Sequence, residues 1–157
     1  MNITVNLTIH QPIADVWEVM GNQFGHAHIW SSNFKSSKPV GEARFAGLDY
    51  SSRDTVTDRG RTVQELTEFD AAKHSFTYQI TEGAPPIAQF AGATWSLSEE
   101  GASDTQLTMD FVMEPKSPLP PEMEAKVQAG LTASVTQLAQ ELKYFLEEGQ
   151  PHPNTLQ

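Results

Sequence analysis

The chain of 157 residues contains no cysteine. Disulfide staples, thiolate metal sites and thiol nucleophiles are therefore excluded. Basic residues are scarce: 10 Lys and Arg stand against 20 Asp and Glu, a formal net charge of −10. This balance, with no cluster of Lys or Arg, repels phosphate backbones and argues against a nucleic-acid partner. No apolar run reaches the roughly 18–20 residues of a bilayer-spanning helix. The polar start Met1-Asn2-Ile3-Thr4 does not read as a secretory signal, and a cytoplasmic location is expected. A glycine-rich phosphate loop, a G-x-S-x-G elbow and a dinucleotide fingerprint are all missing, so no cofactor is expected. His26 and His28 are two apart and would fall on opposite sides of a helix. With no carboxylate or third His at ligand spacing, no metal site is expected there.

What is present is patterned. Ile3, Val5, Leu7 and Ile9 alternate with Thr4, Asn6 and Thr8, the mark of a half-buried strand. Pro12 suits a helix's first turn, Ile13, Val16, Trp17 and Met20 follow at helical spacing, and Gly21-Asn22 stops the run. A second short helix is predicted from His26 to Trp30, and a weakly patterned strand from Ser31 to Val40. An antiparallel meander follows. Arg53 to Thr57 and Arg61 to Phe69 are strands joined by Asp58-Arg59-Gly60. His74 to Thr81 alternates with Phe76, Tyr78 and Ile80 on one face. Ile87 to Ser98 and Thr105 to Glu114 form the last hairpin, with Leu107, Met109, Phe111 and Met113 on one face. Asp110 falls on the opposite, solvent face.

Pro115 to Pro121 holds four of the ten prolines and is irregular. Beyond it Met123, Val127, Leu131, Val135, Leu138, Leu142 and Phe145 recur every three or four residues. They predict an amphipathic helix of about 27 residues, roughly 40 Å long, stopped at Gly149. One domain over residues 1–148 with a flexible tail, 149–157, is the expected organisation. A sheet with one apolar face and one long amphipathic helix must pack together as α+β, leaving a cleft between them for a ligand.

Several segments together resemble the helix-grip superfamily of START and birch-pollen-allergen-like domains (SRPBCC). They are Pro12-Ile13-Ala14-Asp15-Val16-Trp17-Glu18-Val19, Trp30, Arg53-Asp54, Val63-Gln64-Glu65-Leu66 leading to Asp70, Phe76-Thr77-Tyr78, Glu82-Gly83, Pro86-Ile87 and Gln89-Phe90. The pattern is most similar to the polyketide cyclase/dehydrase-type subgroup, whose layout is shared with the plant abscisic-acid receptors. The resemblance implies a curved antiparallel sheet of about seven strands around a long C-terminal helix, with two short helices after the first strand. It also implies a deep apolar cavity for a lipid-like or polyketide-like molecule. Such folds include carriers, receptors, cyclases and hydrolysis activators, so function has to be argued from the site.

By the same resemblance, Glu65 is the strand carboxylate that looks into the cavity, and Arg53 begins the strand leading to the first loop. Tyr78 and Phe90 match cavity-lining aromatics, and Trp30 closes the short helix at the cavity floor or rim. Thr55 and Thr57 share the face of Arg53. With Ile80, Leu107, Met109, Phe111, Val127 and Leu131 these residues make up the expected ligand-binding set. The plant receptors' hormone-holding Lys is replaced here by Ser31, and Asp58-Arg59-Gly60 is shorter than their gate loop. The segment from Phe34 to Ser52 is longer than the subgroup's usual spacing.

The resemblance turns Phe90 and Gly92 inward, whereas apolar parity turns Ala91, Ala93, Trp95 and Leu97 inward. A β-bulge near Gly92 is expected to reconcile them. The leading expectation is a module that binds a small hydrophobic molecule. The rival is a cyclase- or aldolase-like enzyme in which Glu65 or His28 takes a proton alpha to a carbonyl and Arg53 or Tyr78 stabilises the enolate. A third reading is a protein-partner surface at the cavity mouth, flanked by Gly83 to Ile87 and by Pro115 to Pro121.

Overall fold

The computed structural model describes residues 1–153. Seven strands form one antiparallel sheet: β1 (Asn2–Ile9), β2 (Ser36–Val40), β3 (Ser52–Thr57), β4 (Gly60–Asp70), β5 (Ser75–Glu82), β6 (Ala88–Glu99) and β7 (Thr105–Pro115). Their order across the sheet is β1-β7-β6-β5-β4-β3-β2. From β2 to β7 each strand pairs with the next in the chain, and β1 closes the far side against β7. Between β1 and β2 lie helix α1 (Ile13–Trp17), a π-helical turn (Glu18–Asn22) and a 3₁₀ segment (Phe24–Ile29). The long C-terminal helix α2 spans Pro121–Glu148. This is the α+β helix-grip arrangement.

Alternation explains which face of the sheet is apolar. On β1, Ile3 and Ile9 are buried while Asn2, Thr4 and Asn6 are exposed. On β5, Phe76 and Tyr78 are buried. In register, Phe76 meets Trp95 and Trp95 meets Met109, while Tyr78 meets Ala93 and Ala93 meets Phe111. These two rows run side by side across the concave face. Asp110 does turn to the other face, where its carboxylate accepts a 2.5 Å hydrogen bond from the Thr4 hydroxyl.

The switch of parity in β6 is real but lies earlier than expected. The register of β6 on β7 shifts between Ala88 and Phe90, not at Gly92. Ala88 is buried, Gln89 and Phe90 are exposed, and burial resumes at Ala91. The apolar parity of Ala91, Ala93, Trp95 and Leu97 therefore sets the inner face, and Phe90 points outward. Gly92 has a different role. A Cβ there would lie 2.6 Å from the Tyr78 carbonyl oxygen, so only glycine lets β6 approach β5 this closely.

The short helices pack by a similar close approach. A Cβ at Gly21 would stand 2.5 Å from the Trp17 indole, so the glycine lets that ring lie flat on its own helical turn. The indole then reaches Phe69 and Phe76, with ring centroids 5.2 and 6.2 Å away. Residues 32–35 are not strand, and β2 begins only at Ser36.

Helix α2 covers the sheet unevenly. Val135, Ala139, Glu141 and Leu142 are buried, whereas nothing before Val135 is. Val127 and Leu131 are half-buried and Met123 is 46% exposed. The helix ends at Gly149, whose φ of 73° is the left-handed cap that favours glycine. Of the tail expected at 149–157, residues 154–157 lie outside the described residues; before them the His152 ring meets Tyr144 edge-on at 4.9 Å. Leu142→Ala should cost about 2–5 kcal/mol in urea unfolding, and Met123→Ala less than about 0.5 kcal/mol. Equal effects would show that both halves of α2 clamp the sheet.

Candidate functional site

Between the sheet and α2 is a cavity of about 340 Å³. The sheet contributes Gln64, Tyr78, Ile80, Ala93, Trp95, Met109 and Phe111. Helix α2 contributes Leu131, Ser134, Val135 and Leu138, the end of β3 adds Thr57, and two loops add Asn33, Phe34, Asp58 and Arg59. The space exists because small side chains stand where large ones would close it. Ala93 sits in register between Tyr78 and Phe111, and Ser134 lines the same space from the helix. At the rim, Asp58 is held by Lys35 at 3.0 Å, with both side chains well exposed.

One wall hides a buried cation. Arg53 is 1% exposed. Its Nε donates to Gln64 Oε1 at 2.7 Å and its Nη1 to the Phe24 carbonyl at 3.1 Å. Its guanidinium carbon lies 4.0 Å from the Phe24 ring centroid and 5.2–5.4 Å from those of Phe34, Tyr78 and Trp95. The Nη2 has no hydrogen-bond partner among the described residues. Burial pulls the Arg53 pKa down to about 10, opposed by the neighbouring Tyr78 and Tyr50 and by a hydrogen bond with the Tyr78 hydroxyl, so the group is still charged at neutral pH. Burial pushes the Tyr78 phenol up although Arg53 opposes it, so Tyr78 is a neutral hydroxyl rather than a counter-ion.

Helix α2 carries a buried acidic side chain. Glu141 is 1% exposed and accepts hydrogen bonds from Ser32 N at 2.7 Å, Ser32 Oγ at 2.6 Å and Gln137 Nε2 at 3.2 Å. It pins the loop that carries Asn33 and Phe34 to the helix, and so fixes one side of the cavity opening.

Of the residues expected to bind ligand, the structure brings Thr57, Tyr78, Ile80, Met109, Phe111 and Leu131 to the cavity surface. Arg53 lies just behind that surface. Trp30 is a fully buried packing residue against Trp95, and Leu107 is likewise buried core. Thr55 is buried and donates to the Thr62 carbonyl at 3.1 Å. Val127 belongs to a neighbouring cluster with Ala88, Ala91 and Met113.

Two expected placements are corrected. Phe90 is turned out by the bulge described above and is 38% exposed. Glu65 does not look into the cavity: its carboxylate takes a 2.9 Å ion pair from Arg44, and its neighbour Gln64 faces inward instead. His28 also stays off the cavity surface, with its Nδ1 buried and lacking a hydrogen-bond partner among the described residues. The segments 83–87 and 115–121 do adjoin, through Lys116 N donating to the Ile87 carbonyl at 2.8 Å. Neither lines the main cavity; Pro115, Pro118 and Leu119 bound a separate hollow of about 170 Å³ with Met1 and Glu124. Gln64, Phe34 and Ser134 were not anticipated, and Ala93, Trp95, Val135 and Leu138, though placed on apolar faces, were not in the expected ligand-binding set. The periodicity of α2 already carried Val135 and Leu138, whereas no local pattern marks Gln64 or Phe34.

The family described as "Polyketide cyclase / dehydrase and lipid transport" matches residues 1–143. The chain belongs to this family. Among curated proteins none matches its sequence. Solved structures of the same fold include a START superfamily protein from Mycobacterium smegmatis, at TM-score 0.74 and 18% identity, covering 95% of this chain and 99% of that one. A protein from Thermus thermophilus superposes at TM-score 0.71 and 18% identity, covering 95% of this chain and 99% of that one. The di-domain ARO/CYC BexL from the BE-7585A biosynthetic pathway superposes at TM-score 0.74 and 14% identity, covering 94% of this chain and 46% of that one. At these identities the likeness is one of fold. No helix among the described residues is long and apolar enough to cross a membrane.

The chain should tolerate loss of the Glu65 carboxylate. Glu65→Gln should change stability by less than about 0.5 kcal/mol, because it removes one partly exposed ion pair. Glu141→Ala should cost about 1–3 kcal/mol by leaving Ser32 donors unpaired, and should speed hydrogen exchange at the Ser32 amide. Unchanged exchange there would show that Glu141 does not hold the loop.

Proposed function

We propose that the protein binds a small hydrophobic molecule, lipid-like or polyketide-like, in the cavity between the sheet and α2. The observation that carries this reading is the cavity itself. It lies at the centre of the fold, walled by Phe34, Tyr78, Trp95, Met109, Phe111 and Leu131, and its volume is in the range of ligand pockets. Burial of apolar ligand surface supplies the driving force, at roughly 25 cal/mol per Å² before ordering costs. The family's description names both polyketide cyclisation and lipid transport, and the chain's apolar walls suit either kind of molecule.

The geometry favours binding over catalysis by the residues first considered as bases. Glu65 and His28 do not reach the cavity surface, and the acidic side chain among its lining, Asp58, is at the exposed rim beside Lys35. A proton acceptor inside the cavity would have to come from elsewhere.

The test uses a neutral fluorescent probe, N-phenyl-1-naphthylamine, and a variant that fills the space. Ser134→Phe puts a ring on the helix side of the cavity, where Ser134 is half-buried and its neighbour Leu138 already lines the wall. Affinity for the probe should fall by about tenfold or more, with the thermal unfolding midpoint shifted by no more than a few degrees. Undiminished probe binding in this variant would remove the cavity as the binding site.

A further inference from the structure

The chain holds twice as many acidic as basic side chains, yet none of them pairs with its most deeply buried cation. Arg53 is absent from every ion pair of the described residues. The next residue's carboxylate, Asp54, is turned to the opposite face and engaged by Arg61 at 2.9 and 3.0 Å. The buried carboxylate of Glu141 is taken up by Ser32 and Gln137. Tyr78 is a neutral phenol. A guanidinium removed from water is costly unless its charge and its N–H groups are met. Here an amide oxygen, one main-chain carbonyl, the Tyr78 hydroxyl and four aromatic faces meet it in part, and Nη2 has no partner of good hydrogen-bond geometry.

The residues around this cation are those of the cavity. Gln64, which takes the Arg53 Nε–H, lines the cavity, and so do Phe34, Tyr78 and Trp95. An anionic oxygen brought to the wall beside Gln64 and Tyr78 would thus be separated from the guanidinium by no more than one layer of side chains. In that low-dielectric setting a charge is felt strongly. A small shift of Gln64 or Phe34 would let Nη2 donate to it directly.

We infer that the cavity selects, among apolar molecules, those bearing an anionic oxygen group such as a carboxylate, phenolate or enolate, and that Arg53 is its unseen counter-ion. This rests on the reading of the cavity as an apolar binding site. It goes further by assigning the ligand a charge and a direction, with its polar end toward β3 and β4 and its apolar body along Ala93, Phe111 and Leu131.

The experiment compares two probes of one shape, 2-naphthoate and 2-naphthamide, by calorimetric titration at pH 7 and fixed low salt. Naphthoate should bind at least about tenfold tighter, the discrimination expected of one charge-assisted hydrogen bond. The ratio should fall to near one in R53M. Because that variant empties a buried site and could fail to fold, Q64E is the companion. It keeps the acceptor on Nε and supplies the missing negative charge from within, so the ratio should fall to one or invert. Equal affinities in the native chain would overturn the inference while leaving the apolar reading intact. Binding of neither probe would overturn both. A ratio that survives R53M and Q64E but collapses in R59A would place the anion at the rim and also overturn it.

Discussion

One geometrical constraint underlies the structure: a single helix must cover the concave face of a seven-stranded sheet. The helix is long enough, but only residues from Val135 onward are pressed into the core. Buried side chains there meet Ile3, Ile9, Leu107 and Met109 of β1 and β7 within one apolar cluster. Toward its N-terminus the helix is more exposed, and the sheet carries Ala93 where a larger residue would fill the gap. The helix residues on the cavity, Leu131, Ser134, Val135 and Leu138, sit where the exposed half of α2 gives way to the buried one. Native cores are packed to crystal density, so an unfilled space of this size, edged by residues that pack well elsewhere, is a property of the sequence at those few positions.

Two ionisable side chains are buried next to the residues that line the cavity. Charged groups are almost never fully buried unless paired, yet Arg53 and Glu141 are each sealed among neutral partners. Glu141 is satisfied by three hydrogen bonds and acts as a tether between α2 and the loop at residues 32–34. Arg53 is satisfied only in part. The difference separates a side chain whose hydrogen-bond partners all come from the protein from one with a donor left over beside Gln64 and Tyr78, which line the cavity. Keeping the guanidinium there costs stability, and four aromatic rings offset some of that cost through their electron-rich faces.

How far the site was legible depends on the strand. Alternation in β5 and β7 is clean, so Tyr78, Ile80, Met109 and Phe111 were placed inward from pattern alone. In β4 the pattern fails. Thr62, Val63, Gln64 and Glu65 carry no apolar alternation, and the register on β5 shifts twice, between Val63 and Gln64 and between Leu66 and Glu68. Resemblance pointed to Glu65, but the strand turned Gln64 inward, where its amide meets Arg53. In β6 apolar parity was the better guide, because the bulge that turns Phe90 outward lies ahead of the alternating run. The loop bearing Phe34 was read as strand, since nothing local announces that Glu141, more than a hundred residues later, will capture Ser32.

The amino-acid sequence by itself determined the order of elements, the inward face of the regular strands, the stripe along α2 and the family. Each of these depends on neighbours a few residues apart, which periodicity and spacing record. The tertiary structure alone decided the size of the cavity, the outward turn of Glu65 and Phe90, and the enclosure of Arg53 without a carboxylate. Those depend on bulges, on the exposure of one half of a helix and on contacts between distant segments. No local pattern encodes them, because each is settled only when the sheet and the helix have closed on one another.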